Sequence, residues 1–138
     1  MVLPLFIIGS LILSHSFAIA LGGALGALSR FWVSDLIYQT YGRSFPWGTL
    51  AVNLLGSFLI GFLYILLDNR FNDYPELRAI LMVGFLGAFT TFSTFSLDSF
   101  LLIESGYWFK ALINILSNVF ACLFAVWLGF LIGRFFFD

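Results

Sequence analysis

Four stretches of this chain contain no Asp, Glu, Lys or Arg: residues 2–29, 48–67, 79–97 and 111–133. The hydrocarbon core of a bilayer is about 30 Å thick, and a helix needs roughly 20 apolar residues to cross it. Each stretch is long enough. In lipid every backbone polar group must be satisfied within its own segment, so the four read as helices. The pieces between them, "RFWVSDLIYQTYGRSFP", "DNRFNDYPELR" and "DSFLLIESGYWFK", carry the charges, Gly or Pro and the aromatics that settle at a membrane surface. Four crossings use up 138 residues and leave no room for a separate soluble domain. The expected fold is an all-α integral membrane protein with four transmembrane helices per subunit.

Composition agrees, with 62% hydrophobic residues and a mean hydropathy of +1.07. The net charge of -1 and the absence of any basic run exclude nucleic acid as a partner, since binding it requires several cations to replace phosphate counterions. Cys122 is the one cysteine, so no internal disulfide forms, and its apolar setting reads as a packed thiol. His15 stands alone near the start of a span and reads as an interface or packing residue, because a metal ligand needs partners at ligand spacing. No general base, nucleophile and metal ligands come together in the pattern, so an enzyme is not expected.

Helix one is placed mainly from His15 to Asp35. The preceding "MVLPLFIIGSLILS" is a leading part of that helix, an interfacial segment or a processed leader; it lacks the basic flank of a secretory signal. The chain divides into an apolar extension over 1–14 and a four-helix unit over 15–138. Arg70, Arg78 and Arg134 fall on the amino-terminal side of the membrane and Arg30, Arg43 and Lys110 on the other. The positive-inside rule then gives no direction. A balanced count is what a chain inserted both ways and paired antiparallel would carry.

Small residues mark the helix faces: Gly22, Gly23 and Gly26 in the first span, Gly56 and Gly61 in the second, and Ala121, Ala125, Gly129 and Gly133 in the fourth. Spacing of four allows close approach of helices in lipid, within one bundle or between two. Asn53, Asn114 and Asn118 lie inside spans, with Ser117 and Cys122 on the same helix as the last two. An amide in hydrocarbon must find a partner, so each is either glue between helices or a donor along a pathway. Arg30 either snorkels to the head groups or stands in a polar vestibule that attracts anions.

The third span holds "GAFTTFSTFS", residues 87–96, with three phenylalanines, five hydroxyls and no charge. Ser and Thr side chains compete with the helix ladder, and Gly84 and Gly87 permit a local departure from it. One reading is a helix broken near its centre, as in membrane proteins that bind ions at mid-depth. The other is a continuous helix whose hydroxyls bond their own preceding turn. Phe92 and Phe95 share a face, and an aromatic edge carries the positive part of the ring quadrupole, suited to a small anion. No carboxylate sits at mid-membrane, which argues against the main alternative, a small dual-topology multidrug or cation exporter.

With "GGALGALSRF", "GTLAVNLLGSFLIG", "GFLGAFTTFSTFSLD" and "ALINILSN" in this order and spacing, the chain resembles the CrcB/Fluc family of fluoride channels from about Phe17 to Phe130. The resemblance implies a multi-pass protein of the inner (plasma) membrane that exports fluoride passively. It implies a homodimer of oppositely inserted subunits in the lipid bilayer, with two ion pathways along the interface. By the same likeness Phe92 and Phe95 are the pore aromatics, and Asn53 and Asn118 the polar side chains beside them. Thr94, Ser117 and Asn114 are expected as further donors and Arg30 as the vestibule cation. Cys122 stands where some members of the family have serine. A structural sodium ion on the two-fold axis is implied as well, held by backbone carbonyls near Gly87 and Thr90 of both subunits.

Overall fold

The structure, a computed structural model, describes the backbone of residues 5–137 and the side chains of residues 12–137. Four helical spans are long and apolar enough to cross a membrane: Ile12–Tyr41, Trp47–Arg70, Pro75–Glu104 and Trp108–Phe137. The first helix, α1, is Leu5–Tyr41, and α2 is Trp47–Arg70. The third span is made of α3, residues 75–89, and α4, Phe92–Glu104. The fourth is α5, Trp108–Phe137.

α1 is longer than its expected span of His15 to Asp35 at both ends. Its 37 residues rise about 55 Å, well beyond the hydrocarbon thickness. Residues 5–14 are helical and continue it upstream, while residues 1–4 of the apolar extension lie outside the described residues. Downstream the surface-seeking "RFWVSDLIYQTY" is helical too, because neither Pro nor Gly interrupts it before Gly42. There a φ of 76° takes the chain out of the helix, and the Gly42 N–H closes the last turn on the Tyr38 carbonyl at 2.9 Å. Gly106, at φ 79°, makes the equivalent turn between α4 and α5.

The helices pack as two close pairs, α1 against α3 and α2 against α5. Both seams need missing side chains. A Cβ on Gly22 or Gly26 would run into the backbone carbonyls of Ile80 or Phe85, and one on Gly61 or Gly129 into those of Val126 or Phe58. The small-residue row of the fourth span thus packs inside the subunit, with Gly129 and Gly133 against Phe58, Phe62 and Ile65. Val52, Leu86 and Phe89 form the apolar centre where α2 meets α3.

Two segments have the wider i→i+5 winding of a π-helix, Ala79–Leu86 in α3 and Ser117–Ala121 in α5. Between α3 and α4 two residues are extended: Thr90 with φ -84° and ψ 160°, and Thr91 with φ -152° and ψ 115°. They fall within the hydroxyl-rich stretch and place the functional residues described next.

Candidate functional site

Past Thr90, whose N–H still donates to the Leu86 carbonyl at 3.0 Å, backbone N–H groups lose their helical acceptors and side-chain oxygens take their place. Thr91 N–H, which in an uninterrupted helix would bond the Gly87 carbonyl, donates to Asn53 Oδ1 at 2.8 Å. Thr94 N–H, whose helical acceptor would be the Thr90 carbonyl, donates to Thr91 Oγ1 at 3.2 Å and so caps α4. The carbonyls of Gly87 and Thr90 are thereby left without their ladder donors. These are hard, neutral oxygen ligands of the kind a sodium ion accepts, so the residues present fit such an ion.

A row of amides extends from this point. Asn53 Nδ2 donates to the Thr91 carbonyl at 3.1 Å and to Asn118 Oδ1 at 2.9 Å. Asn118 Nδ2 donates to Oδ1 and to the backbone carbonyl of Asn114, both at 3.0 Å. Asn114 Nδ2 donates to Ser99 Oγ at 2.9 Å, and Ser99 Oγ donates to the Phe95 carbonyl at 2.8 Å. The row starts and ends on the first turn of α4 and ties it to α2 and α5. Asn114 is 0% exposed and Asn118 9%, so burial makes every one of these bonds costly to lose. The π-turn beginning at Ser117 places Asn118 one residue into the wider winding.

Beside the row is a cleft of about 320 Å³ lined by Asn53, Ser57, Thr90, Thr91, Phe92, Phe95, Asn118 and Cys122, with the apolar Ile60, Met82 and Val119. Phe92 and Phe95 meet edge to face, centroids 5.3 Å apart and planes at 63°. Phe92 is 77% exposed while Phe95 is 8% exposed. A second cleft of about 290 Å³ contains Arg30, Ser34, Thr49, Thr91 and Thr94, among others. Thr91 lines both clefts, so the extended residues form part of the wall between them.

Most of the residues singled out in the sequence therefore come together. Asn53, Asn118, Phe92, Phe95, Gly87 and Thr90 share the first cleft, and Arg30 and Thr94 share the second. Ser117 and Asn114 line neither, Asn114 because it is buried behind Asn118. Ser99 was missed: a lone serine among apolar residues carries no signal until Asn114 is found against it. Missed also was Thr49, 3% exposed, whose Oγ1 donates to Asp98 Oδ2 at 2.7 Å and lies 3.4 Å from the Tyr38 hydroxyl. Asp98, expected at the water interface, is half-buried and lines a third cleft together with Arg43 and Lys110.

Four apolar spans around an uncharged polar cleft define a small multi-pass membrane protein. Residues 17–130 match the family model described as CrcB-like protein, Camphor Resistance (CrcB), and the chain belongs to that family. A Methylococcus capsulatus protein named fluoride-specific ion channel FluC is 56% identical over 118 residues, which are 86% of this chain and 52% of that protein. The chain thus spans about half the length of that relative. Proteins of the same name from Magnetococcus marinus and Hydrogenovibrio crunogenus are each 52% identical, over 84% and 88% of this chain and 94% and 92% of their own.

Proposed function

We propose that this chain is a fluoride-selective ion channel of the inner membrane that lets fluoride leave the cell down its electrochemical gradient. The observation that carries the reading is the first cleft, where amides, hydroxyls and an edge-to-face aromatic pair meet without a fixed charge, and where an entering anion would draw hydrogens of Asn53 and Asn118 from their present carbonyl and amide acceptors. Its kinship with proteins named fluoride-specific ion channels gives the ion. Fluoride is small and strongly hydrated, and a path has to replace its water with donors while meeting chloride with a size limit and weaker pairing. Arg30 in the second cleft raises the local concentration of anions without binding one tightly. Thr94 and Thr91 hand the ion toward Phe92, Phe95, Asn53 and Asn118, with Ser117 and Asn114 supporting from behind.

The working unit is an antiparallel homodimer of oppositely inserted subunits. The strongly exposed Phe92 supports this reading, because a second subunit would give that ring a neighbour. In it the third span acts as a broken helix, and the carbonyls of Gly87 and Thr90 from both copies hold a structural sodium ion on the axis. That ion supplies fixed positive charge at the subunit boundary.

Sealed liposomes containing only the purified protein test the function. Loaded with fluoride, they release it on establishing a gradient, and the same vesicles loaded with chloride retain it. Folded, dimeric protein that passes both ions alike, or neither, defeats the assignment.

A further inference from the structure

Asn53 belongs to α2, yet its side chain stands in for a missing backbone neighbour of Thr91. Its Oδ1 accepts the Thr91 N–H at 2.8 Å while its Nδ2 donates to the Thr91 carbonyl at 3.1 Å. A carboxamide meeting both polar groups of one residue reproduces the pairing between adjacent extended strands. The second Nδ2 hydrogen is committed to Asn118 Oδ1. With donors and acceptor so engaged, the primary partner of Asn53 is the backbone of the third span. That pairing has a consequence one turn earlier. If the Thr91 N–H returned to the helical ladder it would occupy the Gly87 carbonyl, and Asn53 keeps it away.

We infer that Asn53 is a positioning residue for the cation site: by pairing with the Thr91 backbone it keeps the Gly87 carbonyl out of the helix ladder and available to a hard cation. This rests on the sodium reading above and deepens it. A residue acting only as a donor along the anion path would have no influence on cation affinity. Asn118 provides the contrast, since it touches Asn53 but bonds neither polar group of Thr91.

The test is thermal unfolding of the full-length dimer in detergent during a sodium chloride titration, with N-methylglucamine chloride keeping ionic strength constant. Wild-type protein unfolds at a higher temperature as sodium rises. In Asn53→Ala the sodium midpoint moves up by about tenfold, the size expected for one or two lost hydrogen bonds. In Asn118→Ala the midpoint stays within about twofold, a change below half a kcal/mol, although flux falls. Asn53→Asp, which keeps an acceptor for the Thr91 N–H, leaves the midpoint at or below the wild-type value. Should Asn53→Ala not fold, Asn53→Asp carries the test, and loss of its sodium response overturns the inference. Wild-type protein that ignores sodium overturns the sodium reading together with the inference. A wild-type response with an unchanged midpoint in Asn53→Ala overturns the inference alone.

Discussion

The two halves of the third span are held by different physics. α3 is an apolar segment seated on α1 through backbone contact, with Gly22 and Gly26 against the carbonyls of Ile80 and Phe85 and with Leu86 and Phe89 in the core. α4 is bound mainly through polar atoms: Asn53 on the backbone of Thr91, Thr49 on Asp98, and Asn114 on Ser99. Its apolar side chains Phe92, Leu97, Phe100 and Leu101 point away from the subunit. Steric fit fixes the first half, and hydrogen-bond direction fixes the second. In lipid this division makes sense, because apolar burial gives helices no advantage over lipid contact, whereas close packing and satisfied polar groups do.

The largest effect is expected where the first half is broken. Gly26→Leu puts a side chain against the Phe85 carbonyl, which no rotamer change relieves, and overpacking of this kind costs about 1–3 kcal/mol or more. Loss of the monodisperse peak in size-exclusion chromatography is the expected result, and a normal peak would show that α1 and α3 can separate without harm.

Next come the polar contacts of the second half. Asn114→Ala leaves Ser99 and Asn118 short of a partner in a buried site, at a cost of about 1–3 kcal/mol. A lower unfolding temperature measures it. Asn114→Ala protein as stable as wild type would mean that the amide row contributes direction without stability.

Phe95→Ala and Phe92→Ala sharpen the comparison within one turn. Truncating the buried Phe95 opens a gap in the packing and lowers both fluoride flux and unfolding temperature, the latter by less than Asn114→Ala does because lipid offers apolar contact in exchange. Phe92→Ala lowers flux with a smaller change in subunit stability, because its ring is 77% exposed. Phe135→Ala, at 84% exposed, changes neither. Equal flux losses in all three would mean that the aromatic pair has no special place in conduction. Smallest of all is Arg43→Gln. Its ion pair with Asp35, 3.4 Å long on a 73% exposed side chain, contributes at most about 1 kcal/mol, so its unfolding temperature stays close to wild type.

The four spans were legible because charge is excluded from hydrocarbon, a constraint written directly in the order of residues. The extent of α1 was not, since aromatic and charged residues near a membrane surface fit a helix as well as a loop, and only Gly42 decides. Asn53, Asn118, Phe92 and Phe95 could be singled out as unusual for their setting. Their pairings could not, because Asn53 reaches Thr91 across 38 residues and Asn118 across 65, distances set by how whole helices pack. Asn114 illustrates the limit. Helical spacing puts it one turn from Asn118, but only the packing of α4 onto α5 shows that it faces Ser99 and is sealed from the cleft.

The amide row has one further property: each member both gives and takes, always in the same sense from Asn53 to Ser99. Turning any one carboxamide over would set nitrogen against nitrogen on one side and oxygen against oxygen on the other. The backbone of Thr91 at one end and the carbonyl of Phe95 at the other therefore set the facing of all three amides at once, so that the side of each that meets the cleft is decided by the fold and not by what enters it.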